Sequence, residues 1–257
     1  MKQVEKQPLL FLSGWSYDAA FLSPFLDQLS EMYQVRAVDF TNMKPSSDCV
    51  AWGHEMLEAY MEEVGEPVVL CGWSLGSLVA TELAMENRDR ISHIILIAGT
   101  ACFTKKATYS DGWHPRIVKR MKRQLIHDEE AVLTQFDQAL FGDSVKPSVK
   151  AYVREYRERI FSSHQTSLIQ GLDDLLEIDN RELIQHIQQP LLWIHGIEDA
   201  ICPVNGMNIC KQEMKRPIET LLLEDIGHIP FLEAPEACAA AIKQFTKGQS
   251  VRRDACD

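Results

Sequence analysis

The sequence predicts an α/β fold, a mostly parallel, doubly wound sheet with a helical insertion, on three observations. Short, wholly apolar runs recur along the chain, too uniform for half-exposed strands and so read as strands buried on both faces. Helical patterns alternate with them, as they must if helices cover both faces of a parallel sheet. The alternation then stops: from about residue 101 to 186 no strand-like run occurs, and the segment is charged and amphipathic. The expected organisation is a core of residues 1–100 and 187–247, a helical lid of 101–186 and a flexible polar tail of 248–257.

Taken in order, Leu9-Leu10-Phe11-Leu12 is the first strand, broken by Ser13-Gly14-Trp15. A helix follows from about Asp18, with Phe21, Phe25, Leu26 and Leu29 at helical spacing. Residues 34–38 form a second strand, and after a polar loop Ser47 or Asp48 is placed to cap a helix. Met56, Leu57, Tyr60, Met61 and Val64 are its apolar stripe, and Gly65 ends it. The third strand, 67–71, leads into a helix from Leu75, and Ile94-Ile95-Leu96-Ile97-Ala98 is the fourth. Within the lid, Ile117, Met121 and Leu125, then Val149, Tyr152, Val153 and Tyr156, predict two helices by their stripes. Strands resume at 191–195 and 219–223.

At 257 residues and 46% hydrophobic content the chain can bury one full core without division. No apolar run approaches the roughly 20 residues of a membrane helix, and residues 1–6 carry no signal pattern, so the expected location is the cytoplasm. Seven cysteines are scattered and never in C-x-x-C spacing, which argues against a disulfide framework and against zinc. Nothing calls for a metal or an organic cofactor. A net charge of −11 disfavours nucleic acid and anionic membrane as partners.

Chemistry enters at Cys71-Gly72-Trp73-Ser74-Leu75-Gly76, a G-x-S-x-G pattern between an apolar strand and a helix. Such an elbow holds its serine on a strained turn where neighbouring side chains must be absent, which accounts for Gly72 and Gly76. A serine is a poor nucleophile at neutral pH, so a histidine must take its proton and a carboxylate must orient that histidine. His228, in Glu224-Asp225-Ile226-Gly227-His228 just after the last strand, is placed to reach over the sheet. His93 and His195 border strands, and His54, His114, His127, His164 and His186 lie on helical or lid segments. The loop after the preceding strand, 195–203, offers two adjacent carboxylates, Glu198 and Asp199. The backbone amides of Trp15 and Leu75 are the expected oxyanion donors.

These residues make the chain resemble the α/β-hydrolase superfamily over nearly its whole length, and the family pattern G-x-x-D followed by a proline points to Asp199. More narrowly, Leu12-Ser13-Gly14-Trp15, the stretch 72–80, Ala101-Cys102-Phe103 and His228-Ile229-Pro230-Phe231 resemble the carboxylesterase family that cleaves pimeloyl-acyl-carrier-protein methyl ester in biotin synthesis. The resemblance implies Ser74 as nucleophile, His228 as base, Asp199 as its orienting acid, and an acyl carrier protein as the bearer of the substrate. Three departures accompany it. Ser13-Gly14 replaces the usual His-Gly, the loop 39–45 replaces a Gly-rich turn, and the N-terminal antiparallel strand pair is expected to be truncated or missing. The same triad also serves thioesterases, lactonases, C–C hydrolases and poorly catalytic receptors of the same fold, and these stand as alternatives. An aspartate-nucleophile dehalogenase or epoxide hydrolase is disfavoured because residue 74 is serine.

The lid adds a local basic run. Arg116, Lys119, Arg120, Lys122 and Arg123 occur between Gly112 and His127 without an acidic residue among them, and Arg154, Arg157 and Arg159 follow on a later helix. Acyl carrier proteins are acidic, so Arg116, Arg120, Arg123, Arg154 and Arg157 are the candidate docking residues, weighed against an ordinary solvated helix face.

Overall fold

The computed structural model describes residues 6–44, 46–159 and 164–248. Pro45 of the 39–45 loop and residues 249–257 of the expected tail lie outside them, as do 160–163 of the expected lid. Among the described residues six parallel strands form one sheet in the order β2-β1-β3-β4-β5-β6. They are β1 Gln7–Leu12, β2 Tyr33–Val38, β3 Val68–Trp73, β4 Ile91–Ile97, β5 Leu191–Gly196 and β6 Glu219–Leu223. Every residue of β3 and β5 is buried, as their uninterrupted apolar sequences require of a sheet covered on both faces.

Local chemistry sets the helix ends. Asp18 caps α1 (Ala19–Ser30) by accepting from the amides of Ala20 and Phe21 at 2.9 and 3.2 Å. Pro24 inside that helix cannot donate to Ala20, and the Ser23 hydroxyl bonds the Ala20 carbonyl instead, at 2.9 Å. Of the two candidate caps for α2 (Cys49–Val64), Asp48 serves, accepting from Ala51, and the helix stops at Gly65. The elbow strand runs into α3 (Leu75–Glu86).

Among the described residues four α-helices separate β4 from β5: α4 (Pro115–Leu125), α5 (Glu129–Gln138), α6 (Pro147–Arg159) and α7 (Gln165–Glu177). The strand-type pairing described in this segment consists of isolated bridges between its loops, such as Cys102 with Asp179. One expected stripe is reassigned. In α4 the buried residues are Val118 and Leu125, whereas Ile117 is 48% exposed and, with Met121, faces a cavity between α4 and α5. After β5 come α8 (Val204–Glu213), β6, α9 (Pro230–Glu233) and α10 (Pro235–Thr246).

The order of strands places the site. β1 has β2 on one side and β3 on the other, so the direction of winding reverses between β1 and β3 and opens a crevice at their carboxyl ends. Register brings the other loops to the same edge: Leu12 pairs with Gly72, Trp73 with Ile97, Ile97 with Ile194, and Gly196 with Leu223. The segments following β1, β3, β5 and β6 therefore converge. Among the described residues no helix is long and apolar enough to cross a membrane, and no cluster of side chains is suited to a metal ion.

Candidate active site

Ser74 occupies the turn between β3 and α3 with φ 55° and ψ −117°, a conformation that serine rarely adopts. The turn is possible because it is stripped of side chains on both flanks. A Cβ on Gly72 would strike the carbonyl of Gly76, and one on Gly76 would strike the carbonyl of Leu12. Further support comes from the Ser74 amide, which donates to Ile97 O at 3.1 Å, and from its carbonyl, which accepts from Ser77 Oγ at 2.6 Å.

The Ser74 Oγ lies 2.8 Å from His228 Nε2, and His228 Nδ1 lies 2.8 Å from Asp199 Oδ2. A carboxylate can only accept, so Nδ1 carries the proton and Nε2 is left bare to accept from the serine hydroxyl. Asp199 is held in turn: its Oδ1 accepts from the amides of Ile201 and Cys202 at 2.9 and 2.8 Å. Burial by itself pushes the Asp199 carboxyl up, but His228 and His195, by charge and hydrogen bond, hold it down at about 2. It is therefore ionised throughout the physiological range.

Glu198, the neighbouring carboxylate, has a different task. Its Oε2 accepts from the amide of Asp143 at 2.5 Å, in the loop between α5 and α6, so it ties the acid loop to the helical segment and leaves the histidine to Asp199.

The His228 loop is fastened at three points. The His228 amide donates to Leu140 O at 2.7 Å, Trp73 Nε1 donates to His228 O at 2.9 Å, and the Gly227 amide donates to Glu233 Oε1 at 3.0 Å. Glu233 is a residue that sequence reasoning passed over. Its side chain is 5% exposed with Oε2 unpartnered, and burial first, then the nearby charges of Glu198 and Asp199, push its carboxyl up to about 7 although the Gly227 amide acts the other way. His195 was also missed as a contributor: its Nε2 lies 2.7 Å from Cys202 O and 3.4 Å from Asp199 Oδ2. The carbonyl requires a proton on Nε2, and His195 Nδ1 is buried with no hydrogen-bond partner among the described residues. Both contacts are short in sequence, His195 four residues from Asp199 and Glu233 six from Gly227, but no apolar period or motif marks either residue.

Leu75 is the first residue of α3, where an amide has no intrahelical acceptor, and the Trp15 amide has no protein acceptor among the described residues. Leu75 directly follows Ser74, and Trp15 lies in the loop after β1, whose Leu12 pairs with Gly72 of the elbow strand. The Trp15 indole is fixed by donating Nε1 to Leu168 O at 2.9 Å and by an edge contact with Phe136, ring centroids 4.9 Å apart. Phe136 also lines the cavity between α4 and α5, which encloses about 440 Å3. Trp113 lines it too and donates Nε1 to Ala200 O, next to Asp199.

The basic candidates separate. Arg116, Arg120 and Arg123 are exposed and make no ion pair among the described residues, and Arg120 borders the cavity. Lys122 is committed to Asp173 at 2.5 Å. Arg154 is exposed and 3.8 Å from Glu158. Arg157 is a correction: it is 4% exposed and paired to Asp137, so it presents no charge to a docking partner. The stripe Val149, Val153 and Tyr156 turns that side of α6 inward and Arg157 with it.

The profile of the alpha/beta hydrolase family matches residues 9–241. The chain is similar to the pimeloyl-[acyl-carrier protein] methyl ester esterase of Nitrosomonas europaea, 28% identical over 230 residues that cover 89% of this chain and 91% of that one. It is similar to the protein of that name from Vibrio cholerae at 27% identity, with 93% and 94% covered. Among solved structures it superposes on an esterase from Exiguobacterium antarcticum with TM-score 0.84 at 20% identity, covering 95% and 92% of the two chains. An enol-lactonase from Burkholderia xenovorans superposes with TM-score 0.75 at 16% identity, with 94% and 92% covered.

Proposed function

Because this chain belongs to the alpha/beta hydrolase family, we propose that its hydrogen-bonded series Ser74, His228 and Asp199 is the catalytic triad of a carboxylesterase. The single observation that carries the reading is that series itself, on an elbow whose serine is held at φ 55°. Ser74 Oγ attacks the ester carbonyl carbon as His228 Nε2 takes its proton. The carbonyl oxygen becomes an oxyanion facing the Trp15 and Leu75 amides. His228 then returns the proton to the departing alkoxide, which leaves as the alcohol. Water attacks the acyl-serine with the same histidine as base, and the free acid departs.

The substrate we assign is the methyl ester of pimeloyl-acyl-carrier protein, so that the alcohol released is methanol. Support comes from the curated relatives of that name, 24–28% identical over most of the chain, and from the features of α4. We read residues 101–186 as the lid, the cavity beside Phe136 as an apolar path for the acyl chain, and Arg116, Arg120 and Arg123 as the edge that meets the acidic carrier. Six described cysteines, all free and buried, agree with a cytoplasmic setting.

The test is methanol release from pimeloyl-acyl-carrier-protein methyl ester by the wild type and by Ser74→Ala. The variant is expected to lose activity by on the order of 10⁶, as when a nucleophile-base unit loses one member. Hydrolysis of p-nitrophenyl butyrate without methanol release would overturn the substrate and leave the esterase, whereas an active Ser74→Ala would overturn the triad.

A further inference from the structure

The loop after β1 carries the Trp15 amide, and the core alone does not hold it. Ser16, the next residue, has φ 67°, a left-handed conformation that persists for serine only where its surroundings over-determine it. Those surroundings come from the lid. Arg157 of α6 donates Nη1 to Ser16 O at 3.2 Å and Nη2 to Ser16 Oγ at 3.1 Å. The same guanidinium grips Asp137 of α5 at two points, Nε to Oδ2 at 2.9 Å and Nη2 to Oδ1 at 2.8 Å. Tyr17 completes the knot: its hydroxyl donates to Asp137 Oδ1 and its ring lies 4.6 Å beneath the Arg157 guanidinium. Asp18, at the end of the loop, donates its amide to the Tyr156 hydroxyl at 3.1 Å.

Arg157 is 4% and Asp137 8% exposed. A buried ion pair adds little stability over an apolar pair of the same shape, because desolvation offsets the attraction, but its fork geometry admits one arrangement of its partners. Here the partners are backbone and side chain of the residue next to an oxyanion donor. Among the described residues Ser13 Oγ reaches only the carbonyls of Tyr17 and Gly14 within its own loop, so this side chain does not tie the loop to the rest of the core.

We propose that Arg157 and Asp137 are positioning residues of the oxyanion hole: their ion pair joins α5 to α6, fixes Ser16, and thereby sets the direction of the Trp15 amide, so that the hole is complete only with the lid helices docked. The proposal rests on the reading of Trp15 as a donor and Ser74 as the nucleophile. Neither Arg157 nor Asp137 touches the substrate.

Arg157→Met, with p-nitrophenyl butyrate as substrate, is expected to lower kcat roughly 10- to 100-fold, short of the 10²–10³ lost when a donor is removed outright. KM should stay within about threefold, since ground-state contacts are untouched. Affinity for an aliphatic trifluoromethyl ketone, whose tetrahedral adduct with Ser74 needs the same amides, should fall by the factor lost from kcat. The acid limb of the pH profile should not move, because His228 and Asp199 keep their partners. Arg157→Lys keeps the charge beside Asp137 but lacks the fork on Ser16, and it carries the same expectation should Arg157→Met fail to fold. A folded variant with kcat within threefold of wild type, a loss confined to KM, or a loss of kcat with inhibitor affinity intact would each overturn the proposal. Failure of the underlying reading is separately visible, as ester hydrolysis surviving in Ser74→Ala with Arg157 in place.

Discussion

Two adjacent carboxylates, Glu198 and Asp199, differ in function because of which amides each one meets. Asp199 accepts two amides of its own loop and the His228 ring, and Glu198 accepts an amide of the segment between α5 and α6. Asp199→Asn removes the counter-charge of His228 and its correct tautomer, and the expected loss in kcat is roughly 10⁴. Glu198→Gln keeps an acceptor for the Asp143 amide, so kcat should stay within roughly threefold of wild type under the same assay. A reversal of the two effects in steady-state kinetics would make Glu198 the acid. The pH dependence follows from the depressed Asp199 carboxyl. Its folded-state pKa of about 2 lies below the ordinary aspartate value of 3.8, so the stability it contributes is fully present above about pH 4 and is lost as pH falls through about 2. An acid limb of activity at higher pH therefore does not arise from Asp199.

At the scale of elements, α4 has two faces with separate uses. Val118 and Leu125 anchor it, Ile117 and Met121 turn to the cavity, and Arg116 and Arg123 stand in solvent away from it. Charges at a rim act on encounter with a partner more than on the bound state. Reversing both in Arg116→Glu/Arg123→Glu should raise KM for the carrier-bound ester on the order of 10-fold and make the remaining rate less sensitive to salt. Hydrolysis of p-nitrophenyl butyrate, which has no carrier, should not change. Equal losses on both substrates would indicate a disrupted helix, and no loss on either would make the run a solvated face.

For the whole molecule, the end of α5 and the loop after it join the helical segment between β4 and β5 to the three loops of the site. Asp137 reaches the loop after β1, Leu140 O receives the His228 amide, and the Asp143 amide meets Glu198. Glu233 sits behind this junction as a buried carboxyl raised from 4.5 to about 7. Below about pH 4.5 it is protonated in folded and unfolded chains alike. Between about 4.5 and 7 the unfolded chain gives up a proton that the folded chain retains, so stability is lost as pH rises through that window and the penalty is complete above it. Glu233→Gln keeps an acceptor for Gly227 and has no charge to bury. Thermal unfolding should show it gaining on the order of 2 kcal/mol over wild type at pH 8 and almost nothing at pH 4.5. A gain of equal size at both pH values would mean that packing, not ionisation, separates them.

The fold class, the six strands, Ser74 and His228 were legible in the sequence because each depends on local signals, whereas the choice of Asp199 over Glu198 came from the family pattern. Uniform apolar runs belong to strands buried on both faces, the glycines at 72 and 76 are imposed by backbone carbonyls that approach the elbow, and the loops after β5 and β6 follow from the order of elements. What the tertiary structure decided are interactions between segments far apart in the chain. Arg157 reads as one more exposed cation in a basic helix, yet it is 141 residues from Ser16 in sequence and in hydrogen-bond contact with it. Ile117 and Met121 read as part of one apolar stripe with Leu125, yet Ile117 is exposed at a cavity and Met121 lines that cavity while packing against the core. A side chain's burial and partner depend on which neighbouring element packs over its face, and a helical period specifies the face but not the neighbour.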